Sequence, residues 1–282
     1  MGGKNRFIIS CLGENTEVYH ERILALIRTL KHFGGTMAKQ KTIVYFNGAK
    51  DPKVEQELIK LGVTVQISKP FDVRSPHSNK VRMLEIDEER DYDVLLILDC
   101  DLVIAQDFVD QILNDRIQAA PVYIDFLTNS QWRHIFSVFD LRFPKKKMET
   151  FLGEKTVPYY NSGVIAIPRK YVRPLRELWK KYIKLLLDQF EGKLNDIAEK
   201  SYFTDQIALT LALQEGKFPF TPFPLEMNFQ INQSVHEKFS PDLRKPYIIH
   251  YHKKLINNKI RKTGYKNPDR FIRKLNRFLR RG

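Results

Sequence analysis

The chain opens with short apolar runs that alternate with helical stripes. Residues 7–12 form an apolar strand run. A helical stripe follows from Glu17 through Val18, Ile23, Leu24, Ile27 and Leu30, and it stops at Gly34-Gly35. Residues 42–46 read as a second strand closed by Asn47-Gly48, 52–61 as a short helix with proline in its first turn, and 63–67 as a third strand. Residues 77–89 read as a helix and the apolar run 94–98 as a fourth strand. This alternation predicts βαβ units around a mixed, mainly parallel central sheet flanked by helices, with the ligand site at the carboxyl ends of the strands. Beyond residue 105 the pattern loosens. Strands are expected at 119–126, 164–167 and 246–251, helices at 171–190 and 203–215, and a proline-rich connection at 218–225. Residues 1–255 are therefore expected to be one compact α/β domain, and 256–282 a basic tail.

Composition sharpens this picture in two places. Cys11 and Cys100 each lie in an apolar strand run, the usual setting of a buried free thiol, which favours a reducing, cytoplasmic compartment. No apolar stretch is long enough for a signal-peptide core or a membrane span. The formal net charge of +14 suggests nucleic acid until it is located. Residues 253–282 carry twelve Lys or Arg against Asp269 alone, while the other 252 residues hold 35 bases and 32 acids. The basicity belongs to the tail, whereas a nucleic-acid-binding domain more often spreads it over a folded face, so no nucleic acid is expected as partner.

The candidate chemistry begins at the end of the fourth strand, where the apolar run leads into Asp99-Cys-Asp101. In an extended strand alternate side chains share a face, which would set the two carboxylates about 6.6 Å apart on one side. Two such acids repel unless a cation lies between them, and a divalent metal can also grip a diphosphate. Ile248-Ile-His250-Tyr-His252 brings imidazoles to the end of the last strand. Either His250 or His252 is a candidate third ligand, and mixed oxygen and nitrogen ligation suits Mn²⁺ somewhat better than Mg²⁺. Asn161-Ser162-Gly163 offers hydrogen-bonding groups and a close backbone approach before a buried strand. Thr204 is a candidate helix cap, with Asp205 and Gln206 in the first turn. Lys80 and Arg82, on the helix before the metal strand, are candidates for a phosphate or a donor hydroxyl.

These pieces, in this order, resemble the GT-A glycosyltransferases. They are most similar to glycosyltransferase family 8, which includes glycogenin-like and lipopolysaccharide galactosyl- and glucosyltransferases. The resemblance covers about residues 5–255. It implies a GT-A, Rossmann-like nucleotide-diphospho-sugar transferase fold. About 1–105 would be the nucleotide-binding half and 106–255 the acceptor half. It further implies that Asp99, Asp101 and His250 hold Mn²⁺ or Mg²⁺, and that Asn15 meets the uridine of a UDP-sugar. Arg82 and Lys253 would contact the donor, Asn161 and Gly163 would line its sugar, and Asp205 and Gln206 would sit beneath the anomeric carbon; Lys80, Asp99 and Ser162, read from the residues themselves, complete the expected donor site. The chain departs from the family after the histidine: His250-Tyr-His-Lys-Lys-Leu lacks the usual glycine and the Lys-Pro-Trp ending.

The acceptor, a carbohydrate or glycolipid, is expected against residues 121–160, where Trp132, Arg133, Phe136 and Tyr159 offer stacking and polar groups. In the tail, Phe271, Ile272, Leu275, Phe278 and Leu279 fall on one helical stripe flanked by arginines, after a start at Asn267-Pro-Asp269. A basic amphipathic helix of this kind suits an anionic membrane surface on the cytoplasmic side, or packs its stripe on the protein's own core. Two rivals remain. A sugar-1-phosphate nucleotidyltransferase would need a Gly-rich, Arg-containing loop that Cys11-Leu-Gly-Glu-Asn15 does not provide. A non-enzymatic nucleic-acid-binding protein would leave Asp99 and Asp101 unexplained.

Overall fold

A computed structural model describes residues 5–86, 91–231, 242 and 244–281. The first half follows the alternation read from the sequence: β1 (Phe7–Glu14), α1 (Glu17–Phe33), β2 (Lys41–Asn47), α2 (Pro52–Lys60), β3 (Val63–Ser68) and β4 (Val94–Leu98). Next come β5 (Leu102–Ile104), β6 (Ile117–Pro121) and α3 (Asn129–Val138), then a small hairpin of β7 (Met148–Glu149) and β8 (Lys155–Thr156). The long β9 (Tyr160–Pro168) leads straight into α4 (Arg169–Phe190), followed by α5 (Thr204–Gly216), β10 (Phe220–Pro222), β11 (Phe229–Gln230) and β12 (Ile248–His250). A hairpin of β13 (Leu255–Ile256) and β14 (Lys259–Ile260) precedes a basic helix at Lys266–Leu279.

Seven strands form the central sheet in the order β10-β6-β9-β4-β1-β2-β3. All pairs are parallel except those of β9, which runs antiparallel to β4 and β6. The sheet is apolar on both faces because helices cover both. On β4, Leu95 and Ile97 pack with α4 and α5, while Val94, Leu96 and Leu98 pack with α1. A second, three-stranded sheet, β11-β12-β5, sits at the carboxyl end of β4. The mixed α/β fold with a mainly parallel sheet is thus as expected, and the second sheet is an addition.

Several local expectations need correction. Residues 77–89 do not form an α-helix: the described part is a 3-10 helix, Pro76–Leu84, and 87–90 lie outside the described residues. Three residues per turn stack side chains at every third position. His77, Lys80 and Met83 accordingly line one cleft, and Arg82 leaves by another side. Asn161, Ser162 and Gly163 lie inside β9, not before it. β6 ends at Pro121, well short of residue 126, and the connection at 218–225 contains β10. Thr204 does not cap α5: its hydroxyl donates back to the Ser201 carbonyl, because a 3-10 segment, Asn195–Phe203, runs directly into the helix.

The basic helix is not a free tail. Ile272, Leu275 and Leu279 are buried at 0–2% exposure, packed with Ala25 of α1, Val103 of β5, and Ile249 and Tyr251. The stripe expected to meet a membrane is spent on the protein's own core, leaving Arg270, Arg273, Lys274 and Arg277 exposed. Asp269, near its start, accepts from the Thr263 and Gly264 amides and anchors the preceding turn. Among the described residues no helix is long and apolar enough to cross a membrane. Leu275→Ala should therefore cost about 2–5 kcal/mol of stability in urea denaturation, and Arg273→Ala less than about 0.5 kcal/mol. Equal, small effects would mean that the helix is not docked.

Candidate active site

The strand β4 is apolar to its end, and the chain then turns at Cys100-Asp101 to enter β5 in the other sheet. The extended geometry expected for Asp99-Cys-Asp101 therefore does not hold. The two carboxylates instead face different partners across one seam. The Asp99 amide donates to the Gly163 carbonyl at 2.8 Å and the Tyr251 amide to the Asp101 carbonyl at 3.1 Å, which ties the turn to both sheets.

On the α5 side, Lys80 Nζ lies 2.8 Å from Asp99 Oδ2, 2.8 Å from Ser162 Oγ and 3.1 Å from Asp205 Oδ2. Ser162 in turn donates to Asp205 at 2.5 Å. Burial by itself would lower the Lys80 ammonium, but Asp99 and Asp205 outweigh it and hold the group above its usual value. Burial pushes the Asp99 carboxyl up, and Lys80 pulls against that.

On the other side of the seam, His250 Nε2 lies 3.1 Å from Asp101 Oδ1 and His252 Nδ1 lies 3.9 Å from Asp101 Oδ2. Burial alone would raise Asp101, yet His250, His252 and Arg22 hold it below the carboxylate range. His250 Nδ1 faces Asn228 Oδ1 at 3.0 Å, and Asn228 Nδ2 donates to Asn161 Oδ1 at 2.9 Å. Asn161 Oδ1 also accepts from the Gly163 amide. Gly163 is required here on steric grounds. A Cβ at that position would lie 2.8 Å from Asn161 Oδ1, 3.0 Å from His250 Cε1 and 3.2 Å from Asp99 Oδ2.

Asp101, His250 and His252 place one ligand atom each within 4.8 Å of one another. This oxygen and nitrogen set, opposite a strand with no side chain at Gly163, fits a divalent cation. Two clefts meet at this point. One, of ≈ 320 Å³, runs between β1, α1 and the 3-10 helix; the other, of ≈ 490 Å³, opens toward α5 and the segment after β6. Lys80, Asp99, Asp101, His252 and Lys253 line both.

The structure thus gathers Lys80, Asp99, Asp101, Asn161, Ser162, Gly163, Asp205, Gln206, His250 and Lys253 at one seam. Two expected residues lie apart from it. Arg82 donates to the Lys69 and Pro70 carbonyls and pairs with Glu85, while Asn15 is exposed and bonded to His20. The expected acceptor aromatics Trp132, Phe136 and Tyr159 are at most 1% exposed and pack in the core. Tyr123, Phe126 and Phe203 line the wider cleft instead. Tyr19, Arg22, Asn228 and Gln230 escaped the sequence reading. For Tyr19 and Arg22 a signal existed: they lie three residues apart in the first turns of a helix that starts at a strand's carboxyl end. Asn228 and Gln230 carry no comparable signal, since only sheet pairing brings them beside His250.

Carboxylates at the carboxyl end of β4 and imidazoles from the end of β12 thus meet at one edge of the mixed sheet, and the solved structures that share this fold are glycosyltransferases. The fold matches the WbbM bifunctional glycosyltransferase in its apo form, with a TM-score of 0.57 and 14% identity over 88% of this chain and 46% of that one. It matches the glycosyltransferase GlyE of Streptococcus pneumoniae TIGR4 with a TM-score of 0.56 and 16% identity, over 98% of this chain and 60% of that one. Mouse xyloside xylosyltransferase 1, also apo, matches with a TM-score of 0.53 and 13% identity, over 88% of this chain and 98% of that one. The chain spans about half the length of the first of these and three fifths of the second. The model of the Rhodobacterales glycosyltransferase domain matches residues 11–217, and the chain belongs to that family. No curated protein matches it.

The Lys80 network can be tested by stability alone. Lys80→Met leaves two buried carboxylates without their cation, which should cost about 3–5 kcal/mol at pH 7. Burial already holds the Asp99 carboxyl up against the pull of Lys80, and without Lys80 it rises further, so the penalty is present at neutral pH and relieved as pH falls. Urea titrations at pH 7 and pH 4.5 should show the gap to wild type narrowing at the lower pH. A gap that stays constant would mean the network does not carry the charge balance.

Proposed function

We propose that the protein transfers a hexose from a nucleoside-diphosphate sugar, a UDP-sugar foremost, to an acceptor hydroxyl, with Mn²⁺ or Mg²⁺ at the seam. The observation that carries this reading is the cluster of Asp101, His250 and His252, whose ligand atoms lie within 4.8 Å of one another, with Asp99 and His250 both against Gly163. The order of these motifs also supports a place near glycosyltransferase family 8. Asp99, Asp101 and His250 would hold the cation, which supplies Lewis-acid assistance to the departing diphosphate. Lys253 lines both clefts and would add positive charge beside the leaving group. Asn161, Ser162 and Gly163 would line the donor sugar, and Arg82 and Asn15 would reach the donor only if their present partners released them.

Asp205 is engaged by Lys80 and Ser162, which argues against its acting as a general base. It would instead set the local field, with Gln206 the half-buried neighbour beneath the anomeric carbon. This arrangement favours retention, in which the leaving phosphate takes the acceptor's proton. The narrower cleft suits the nucleotide half of the donor, and the wider one, rimmed by Tyr123, Phe126 and Phe203, the acceptor.

For the acceptor we place a carbohydrate or glycolipid at the inner face of a cytoplasmic membrane. The support is the exposed basic face of Arg270, Arg273, Lys274 and Arg277, together with the buried free thiols Cys11 and Cys100. With the apolar stripe buried, such contact rests on charge alone.

Two measurements check this reading. A screen of nucleotide-sugars by thermal unfolding should find one that raises Tm by roughly 5 °C at 100-fold excess over Kd, and only with Mn²⁺ or Mg²⁺ present. Stabilisation by none of them would remove the donor assignment. Co-sedimentation with anionic liposomes should fall steeply between 50 and 500 mM salt (about a three-fold shorter Debye length). Salt-insensitive binding, or none, would remove the membrane assignment.

A further inference from the structure

His252 stands in a backbone conformation that is uncommon for any residue but glycine. Its φ of +52° is in the left-handed region, where a glycine would sit without strain. The chain turns there directly after β12, and the turn folds the second imidazole back onto the first. The rings of His250 and His252 stack with centroids 3.9 Å apart and 30° between planes. A strained backbone that persists beside a functional cluster points to a role for the side chain it delivers.

The ring nitrogens are oriented by their surroundings. His250 Nδ1 faces Asn228 Oδ1, and His252 Nε2 lies 3.4 Å from Gln230 Oε1. An amide oxygen only accepts, so with Asn228 in this orientation it is His250 Nδ1 that donates. Asn228 is itself held in that orientation by its donation to Asn161. The opposite nitrogens, Nε2 of His250 and Nδ1 of His252, both face Asp101, at 3.1 and 3.9 Å. An imidazole whose far N–H is engaged by a carbonyl, and whose near nitrogen aims at a carboxylate, is arranged as a metal ligand.

We propose that His252 is a second imidazole ligand of the cation at Asp101 and His250, and that it selects late first-row divalent ions over Mg²⁺. The inference rests on the metal-dependent reading above. Oxygen ligands alone suit Mg²⁺, whereas each added imidazole favours the later ions, in the order Mn²⁺, Co²⁺, Ni²⁺. Asp99, held by Lys80, then serves as a neighbouring acid more than as the strongest ligand.

The test is equilibrium binding of Co²⁺ and Mg²⁺ to the full chain with UDP present, read by calorimetry and by the visible d–d absorption of Co²⁺. His252→Gly relieves the backbone and removes the ligand, and His252→Asn removes it with a residue that tolerates positive φ. Both variants should fold, lose roughly ten-fold or more in Co²⁺ affinity with a changed Co²⁺ spectrum, and keep their Mg²⁺ affinity within about three-fold. His250→Ala should weaken both ions. Unchanged Co²⁺ affinity and spectrum in the His252 variants, with His250→Ala still impaired, would overturn this proposal and leave the metal-dependent reading standing. No divalent binding by wild type would overturn both.

Discussion

Everything at the site depends on charge balance at the end of one buried strand. Two carboxylates separated by one residue leave β4 where water is largely excluded, and each must meet positive charge or a hydrogen-bond donor. The chain answers by turning between them. Asp99 goes to the α5 side, where Lys80 serves it together with Asp205, and Asp101 goes to the second sheet, where imidazoles serve it. Had β4 continued straight, both acids would have shared one face and repelled. The turn converts a repulsive pair into two compensated halves that face one cleft.

The second sheet exists at the level of side chains to deliver His250. Along β12 the residues alternate, so His250 points to the seam while Ile249 and Tyr251 point to the core beneath the basic helix. Ile272, Leu275 and Leu279 press on that same core. A helix that looks, by charge, like a separate appendage is thereby a brace for the histidine strand. Its packing and the geometry at Asp101 are coupled through two adjacent residues.

Legibility followed range. The strands and helices of the first half were readable because each carries its own apolar period, and β1 through β4 fall within a few residues of expectation. Asp99, Asp101 and His250 were readable because an acid or imidazole ending a buried run is chemically conspicuous. The segment before β4 was misread because helical spacing cannot separate 3.6 from 3 residues per turn over nine positions. That small difference decides whether Lys80 or Arg82 enters the cleft. Trp132, Phe136 and Tyr159 were misplaced for a related reason: aromatic side chains in a variable stretch serve a core as readily as a ligand.

Local sequence therefore determined the α/β alternation, the buried thiols, the acidic strand end and the amphipathic basic helix, since each follows from patterns within a dozen residues. Tertiary structure alone decided which residues meet. The pairing of β5 with β12, the crossing of β9 beside β4 and the closeness of α5 join positions up to about 150 residues apart, as Asp101 and His250 are. Such contacts are set by packing two sheets and their helices at once, and no short-range period encodes them.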